Sequence, residues 1–248
     1  MMTMSRKTKP LITSDHPKGR QATDLFRATY NLAKLDDEGA QILNENGDKF
    51  QVYMLEGLHR YSRKQPVFAD AAMWVDFYRR IFGKEVDLTN LHVAVKPNYP
   101  CWPIVMVPGV SNNDAFDACR KQLGGAWRYT DDLNSVRDIV KRPDGAYVVW
   151  VKQNVEADPD LASISAEKIL ELGLNTVTLR ERLVLDSKHF DETKQHLDIE
   201  NWTLCAGSRD ADGNVPYVYW SRCGRGLGVD WDGVDDAYSD LRARAAVC

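Results

Sequence analysis

The chain has 248 residues, of which 44% are hydrophobic and 27% charged, and its formal net charge is −4. This composition is ordinary for a globular protein with a substantial core, and the length suits one large domain or two small ones. A net acidic chain disfavours a sequence-independent nucleic-acid binder, because such proteins carry an excess of basic residues.

The first twenty residues are polar and basic, and they contain no apolar run of the length that a secretory signal needs. We expect residues 1–20 to form a flexible leader, with a basic arm for an acidic partner as the alternative. No stretch approaches the roughly 18 apolar residues of a membrane span. We therefore expect a cytoplasmic protein that does not contact membranes.

Residues 21–85 are predicted to be mainly helical. A weak helical pattern covers residues 24–34, and residues 50–55 could begin either a strand or a helix. The pattern is clearer from Val67 to Phe82, where aromatic and aliphatic side chains recur every three or four residues. Pro66 suits the first turn of this helix and Gly83 its end. We interpret the aromatic stripe as part of a hydrophobic core.

Residues 86–248 are predicted to form an α+β domain. Its first elements are strands at 91–95 and 104–107, a helix at 113–122, a buried strand at 146–151 and a short helix at 165–172. Thr178 and Glu181 then form a capping box, which predicts a strong helix from Leu179 to about His196. The polar residues of this helix are Arg180, Glu181, Arg182, Lys188 and Glu192. Helices of this kind are usually scaffold, and we assign no chemistry to it.

The cysteines and histidines have no ligand-like spacing. The cysteine count of five is odd and no two cysteines are three residues apart, which predicts reduced thiols rather than a disulfide framework or a zinc ribbon. His189 and His196 are seven residues apart and could share a helix face, where we interpret them as a solvated pair. We therefore expect no metal and no cofactor.

The last 44 residues, Cys205–Cys248, differ in composition from the rest of the chain. They contain no Lys, Glu, Gln, Met, Ile, Thr, Phe or His, whereas Gly, Asp, Arg, Tyr and Val remain frequent. Helix formers are thus depleted while turn and strand formers are kept, which predicts a small antiparallel sheet.

Alternation of side chains assigns the two faces of this sheet. The face predicted to pack on the core carries Val218, Trp220, Leu227, Val229 and Trp231. The face predicted to be exposed carries Tyr217, Tyr219, Asp230 and Asp232, with Arg222 and Arg225 in the adjoining loop. A last strand at 241–247 would direct Arg242 and Arg244 outward. Tyr and Arg among small residues are typical of recognition surfaces, although an ordinary solvated face is the alternative.

Four sequence runs, 202–209, 215–220, 227–231 and 241–247, resemble the closing strands of the C-type-lectin-like fold. The form they resemble is that of the formylglycine-generating-enzyme group, which the variable proteins of diversity-generating retroelements also use. In those proteins, adenines in a template copy of the gene's end are randomised, so that variable codons encode a restricted set including Asp, Gly, Ser, Arg, Tyr and Cys. The resemblance implies a variable region at 205–247 in a C-type-lectin-like domain at 86–248, and it covers the last 70 residues best.

The residues that the resemblance marks as variable belong to this restricted set. They are Asp210, Asn214, Tyr217, Tyr219, Ser221, Arg222, Gly224, Arg225, Gly226, Gly228, Asp230, Asp232, Gly233, Tyr238, Ser239 and Asp240. The sequence departs from two other groups with this fold. Cys205 and Cys223 are 18 residues apart, unlike the close cysteine pair of the oxidases, and the signature motifs of calcium-dependent lectins do not occur. The resemblance therefore predicts neither oxidase chemistry nor a calcium site.

The first functional hypothesis is a non-enzymatic protein that binds a protein ligand. Its site residues would be Tyr217, Tyr219, Arg222, Arg225, Asp230, Asp232 and Tyr238. The second hypothesis is a structural or assembly protein of a phage or other mobile element, which would form a homo-oligomer. The third is a metal-dependent hydrolase or nuclease that uses the acidic pairs Asp131-Asp132 and Asp235-Asp236.

Overall fold

The computed structural model describes residues 13–62 and 70–248, and it has the α+β character expected from the sequence. The chain divides between residues 64 and 65 into two compact units. Residues 1–12, which form most of the predicted leader, and residues 63–69, which begin the predicted 67–82 helix, lie outside the described residues. Across the described ranges, no helix is both long and apolar enough to cross a bilayer.

The first unit consists of three helices, α1 (Pro17–Ala33), α2 (Asp37–Glu45) and α3 (Gly47–Ser62). The leader was predicted to extend to residue 20, but the His16 side chain caps α1 by accepting a hydrogen bond from the Lys18 backbone, so the helix begins earlier. Neither α1 nor α2 contains a buried residue. Their exposed apolar side chains are Leu25, Phe26, Tyr30, Leu32 and Ile42.

The second unit contains the remaining helices and all the strands of the described residues. Its helices are α4 (Ala71–Phe77), α5 (Asn112–Leu123), α6 (Ala166–Glu171) and α7 (Leu179–Thr193). Its strands are β1 (His92–Val93), β2 (Cys101–Met106), β3 (Ala126–Arg128), β4 (Arg137–Asp138), β5 (Tyr147–Lys152), β6 (Trp202–Leu204), β7 (Ser208–Arg209), β8 (Val215–Ser221), β9 (Gly226–Asp232), β10 (Leu241–Ala243) and β11 (Ala246–Val247).

The aromatic stripe of α4 is core, as predicted. Trp74, Phe77 and Tyr78 are at most 2% exposed, and the Tyr78 hydroxyl donates a 2.6 Å hydrogen bond to the Val105 carbonyl on β2. The helix continues as a π-helical turn over Tyr78–Phe82 and ends at Gly83, whose backbone is left-handed. This hydrogen bond lets a buried tyrosine satisfy its hydroxyl while the ring fills the core.

The strands form two main sheets around a shared core. In the first, β5 lies between β2, which is antiparallel to it, and the short strands β1 and β11. The second sheet has the order β10-β6-β8-β9-β3. Its centre is antiparallel, as predicted, but the edge strands β10 and β3 are parallel to their neighbours. The last predicted strand is also divided, because β10 joins the second sheet and β11 the first.

Helices α5 and α7 pack against each other beneath the second sheet, and both begin with a capping box. Ser111 and Asp114 cap α5, and Thr178 and Glu181 cap α7. The Cys119 thiol of α5 contacts the Leu183 carbonyl of α7 at 3.2 Å. Each box satisfies backbone N–H groups at the start of its helix, and the sequence signature at Thr178 and Glu181 had located the start of α7.

A buried ionic network corrects the predicted polarity of α7 and of the final strand. Arg182 and Arg244, expected on polar or outward faces, are both fully buried, and both donate hydrogen bonds to Asp198. Arg182 also pairs with Asp186, and the Thr203 hydroxyl donates to Asp198. Two guanidinium groups thus face two carboxylates, and each charge is compensated inside the core.

Two further polar residues of α7 are also buried. Glu181 is fully buried and accepts hydrogen bonds from Arg142 and from the Tyr147 hydroxyl. Lys188 is 7% exposed and lies over the rings of Trp74 and Phe77. The pattern of polar residues in the sequence therefore did not identify the buried side of this helix. A charged side chain can be buried when it is paired with an opposite charge or packed on aromatic rings.

Candidate binding surface on the C-terminal sheet

Strands β8 and β9 form the hairpin that carries most of the predicted site. Tyr217 lies opposite Asp230, and Tyr219 lies opposite Gly228. The predicted division into two faces is confirmed for Val218, Leu227 and Val229, which are buried in the main core beneath the sheet. We call the opposite side of the sheet the outer face.

Two aromatic residues of the hairpin have burial opposite to that predicted. Tyr217 was expected to be exposed but is only 9% exposed, because it packs in a second hydrophobic cluster with Leu204 and with residues from the 161–169 segment. Trp231 was expected to be buried but is 45% exposed. The alternation of side chains along the strands assigned the two residues to the correct faces. Whether a residue on either face is buried depends on which distant segments of the chain pack over it.

A row of aromatic rings crosses the outer face. Tyr217 stacks on Trp202 of β6, with ring centroids 5.1 Å apart, and lies 5.9 Å from Tyr219. Tyr219 in turn meets Trp127 of β3 edge to face at 6.0 Å. Each contact has the spacing of a favourable aromatic pair. The rings therefore form a continuous row from β6 to β3, in which Tyr217 is buried and Trp127 at the end is 41% exposed.

Gly228 makes this arrangement possible. A Cβ atom at this position would lie 2.7 Å from ring atoms of Tyr219 and 3.0 Å from the Trp127 indole nitrogen. Tyr219 can therefore lie across β9 and reach Trp127 only because residue 228 has no side chain. Gly226 is constrained differently, since a Cβ there would lie 2.9 Å from the backbone oxygen of Gly125.

The outer face is acidic where the aromatic row ends. Residues 226–241 include five aspartates and no Lys, Arg or His. Burial raises the pKa of Asp232, and the neighbouring Asp236 and Asp230 raise it further. The Tyr238 hydroxyl donates to Asp232 at 3.3 Å, while the second Asp232 oxygen is buried without a partner. Repulsion among these carboxylates is therefore not relieved by a basic residue of the same segment.

The same negative charges act on nearby tyrosines. Burial, together with Asp210, Asp230 and Asp212, raises the pKa of Tyr129 to about 12. Burial and Asp230 also raise the pKa of Tyr219. Both phenols therefore stay protonated at neutral pH, but the Tyr129 hydroxyl is buried, so only Tyr219 is placed to meet a ligand.

The predicted site residues thus separate into two groups. Tyr217, Tyr219, Asp230 and Asp232 share the outer face, and Tyr238 contacts Asp232. Arg222 and Arg225 are exposed in the turn that joins β8 to β9, at the opposite end of the hairpin from Asp232. Arg222 forms an ion pair with Glu200, and Arg225 has a left-handed backbone.

Sequence reasoning missed Trp127 and Trp202 as parts of this surface. Trp127 comes from the three-residue strand β3, which pairs in parallel with β9 and places the indole opposite Gly228. The only sequence signal is a tryptophan in the short run that follows the glycine pair ending α5. Such a run is too short for side-chain periodicity to reveal a strand.

One aspartate of each acidic pair proposed for metal chemistry has a structural partner. Asp132 caps a short 3-10 helix, and hydrogen bonds from the Asn134 backbone and the Asn113 side chain lower its pKa. Asp236 accepts a hydrogen bond from the Gly233 backbone. Within the described ranges, no three His, Cys, Asp or Glu side chains are grouped as metal ligands, and the cysteines are free thiols.

The two histidines that were interpreted as a solvated pair are packed against aromatic rings. His189 is 7% exposed and lies 5.0 Å from Trp102, and His196 stacks between Phe190 and Trp220. Burial lowers the pKa of both imidazoles. Both rings are therefore held in their neutral form within the fold.

No protein-family profile, characterised protein or solved structure matches this chain.

Proposed function

We propose that this chain is a binding protein that engages a protein partner through the outer face of its C-terminal sheet. The observation that carries the proposal is the aromatic row from Trp202 to Trp127 beside unpaired carboxylates. Large aromatic groups supply contact area at low entropic cost, and charged groups at their edge set specificity. The binding group comprises Trp127, Tyr219, Asp230, Asp232 and Tyr238.

The partner surface that this face fits is basic. Five aspartates occur within residues 226–241, and the exposed rings of Trp127 and Tyr238 lie on or beside the same sheet. A lysine or arginine side chain could pair with a carboxylate and stack on a ring at the same time. We therefore assign the partner as a protein segment rich in Lys or Arg.

The scaffold is proposed to be C-type-lectin-like. Strands β6, β8, β9 and β10 occur in the order that the resemblance implies, and β8 and β9 carry the aromatic and glycine-rich sequences expected of it. The final strand β11 returns to β5 in the first sheet, and the α5–α7 pair lies beneath the second. These features support the proposal of a rigid frame that presents residues 205–247 on one side.

Selection from a library of displayed random peptides tests the binding function. We expect peptides selected on the wild-type protein to be enriched in Lys, Arg and aromatic residues, and to lose binding to Trp127→Ala and Tyr219→Ala variants. Trp231→Ala is a matched control, because Trp231 is similarly exposed but belongs to the other face of β9. Equal loss with Trp231→Ala, or no enrichment at all, would contradict the proposal.

Diversification of the surface is a separate part of the proposal and has its own test. Deep sequencing of the gene in a growing host population should show substitutions confined to codons 205–247, at positions templated by adenine. The structure adds an expected exception at Gly226, where any side chain would meet the Gly125 backbone. If substitutions are equally rare in codons 1–204 and 205–247, the diversification part of the proposal is wrong and the binding surface is fixed.

Assembly is the second candidate function, and the first unit of the chain favours it. Helices α1 and α2 bury no side chain, while Leu25 and Leu32 are 68% and 78% exposed. Apolar helical surface of this kind suits packing against a second copy. A Leu25→Asp/Leu32→Asp variant should then have a lower mass by light scattering than the wild-type oligomer, and a monomeric wild-type protein would exclude this function.

A further inference from the structure

A cavity of about 170 Å³ lies in the second unit, away from the outer face of the C-terminal sheet. Helix α7 contributes Leu185, Lys188, His189 and Glu192, which are spaced so that they share one face of the helix. The other walls come from Met73 and Trp74 of α4, from Trp102 and Pro103 of β2, and from Asp70, an exposed residue just before α4. The cavity therefore combines apolar walls with a few charged or polar groups, as small-molecule sites usually do, and Lys188 is the one lysine or arginine among its lining residues.

Lys188 provides a positive charge inside this cavity. The residue is only 7% exposed, and its ammonium lies 4.9 Å from the Trp74 ring centroid. Its one ionic partner among the described residues is Glu192 at 3.0 Å, and the Glu192 side chain is 46% exposed. An ammonium group has three N–H donors, so this pairing leaves donors directed at rings or at the cavity.

His189 provides a polar group without a partner. The residue is buried, and its Nε2 atom has no hydrogen-bond partner. An unpaired polar atom in such a position is costly, unless a ligand or a water molecule completes it. In the tautomer that carries its proton on Nε2, His189 has a hydrogen-bond donor that no acceptor of the described residues satisfies.

We infer that this cavity binds a small organic carboxylate with a single ring. The carboxylate accepts hydrogen bonds from Lys188 Nζ and His189 Nε2, and the ring packs on Trp74 and Trp102. The volume agrees with this ligand class, since a cavity of about 150 Å³ holds one benzene ring.

Benzoate is the probe, and its uncharged analogue benzamide is the comparison on the unchanged protein. We expect benzoate to saturate the protein in calorimetry or ligand-observed NMR, and benzamide to bind at least roughly tenfold more weakly, because it lacks the charge-assisted hydrogen bonds. Equal affinities for the two probes would overturn the inference, as would no saturation by benzoate up to its solubility limit.

Substitutions of the lining residues test whether benzoate binds in this cavity. Lys188→Met and His189→Phe should each weaken benzoate, whereas Glu192→Gln should tighten it severalfold, because the competing carboxylate is removed from Lys188. Lys168→Met is the control for net charge, since Lys168 is an exposed lysine on α6. Thermal melts establish that each variant is folded. Unchanged affinity in folded Lys188→Met, or equal loss in Lys168→Met, would overturn the inference.

Discussion

Aspartates occur in two contrasting settings in the second unit. Asp198 lies in the buried network, where burial alone would raise the pKa of its carboxyl, but Arg244 and Arg182 hold that pKa below its ordinary value. On the outer face of the second sheet, burial and the neighbouring Asp236 and Asp230 raise the pKa of Asp232. The inner charges are compensated within the fold, whereas the outer aspartates have no cationic partner among the described residues. The same residue type therefore stabilises the fold in one place and, in the proposed function, would provide specificity in the other.

The largest expected effect is at Asp198. Replacing it with the isosteric Asn removes the negative charge that faces Arg182 and Arg244 and leaves two buried guanidiniums undercompensated. We expect Asp198→Asn to lower the free energy of unfolding by about 3–5 kcal/mol in urea denaturation. Asp230→Asn on the outer face is the matched control and should change it by less than about 0.5 kcal/mol. Similar losses in the two variants would refute this distinction between the two settings.

The next largest expected effect on stability distinguishes two glycines of β9. A Cβ on Gly226 would meet backbone atoms of Gly125, whereas a Cβ on Gly228 would meet the Tyr219 side chain, which can move. We expect Gly226→Ala to cost about 1–3 kcal/mol, the range for overpacking, and Gly228→Ala to cost less. Gly228→Ala should instead displace Tyr219 and weaken peptide binding. Thermal denaturation and the peptide assay together check both expectations, and a reversed order of stabilities would contradict them.

A smaller effect concerns pH and His196. Burial lowers the pKa of this histidine in the folded state, so the unfolded chain takes up a proton first as the pH falls. The stabilisation is complete above the unfolded pKa of about 6.5 and is lost as the pH falls through the folded pKa. Between pH 7 and 5, the wild-type protein should lose more stability than His196→Phe. The difference should stay below about 1 kcal/mol, because solvent screens this partly buried ring.

A comparably small effect is expected on binding at the outer face. For a Lys-rich or Arg-rich peptide selected on the wild-type protein, Asp230→Asn should weaken affinity by about 0.5–1 kcal/mol, mainly through slower association. The effect should diminish at high salt, because exposed charges are screened. Association rates measured at two salt concentrations provide the check. A peptide that binds Asp230→Asn more tightly would show that these carboxylates do not attract the partner.

Local signals predicted much of this fold. The capping box at Thr178 located α7, and the apolar run at 146–151 located the central strand β5. Alternation also placed Val218 and Tyr219 on opposite faces of β8. Each of these signals depends on residues close together in the chain, where backbone geometry fixes the relation between sequence and structure.

Signals that depend on distant segments were missed. Arg182 and Arg244 are buried because Asp198 pairs with both, and hydropathy assigns a charged residue to solvent regardless of its partners. The burial of Tyr217 similarly depends on residues 161–169, which cover only part of the outer face. The cavity beside Lys188 could not be predicted either, because three elements far apart in sequence enclose it.

The parallel pairing of β10 with β6 has a consequence for protein engineering. Trp202 and Leu241 lie directly opposite each other in this pair. The segment between them therefore begins and ends at neighbouring positions of the second sheet. Paired strands are about 4.8 Å apart, so both ends of the stretch between these positions are held at one place in the sheet. Synthetic libraries could therefore be inserted as one cassette, provided that the core residues Val218, Leu227 and Val229 are kept and only exposed positions are varied.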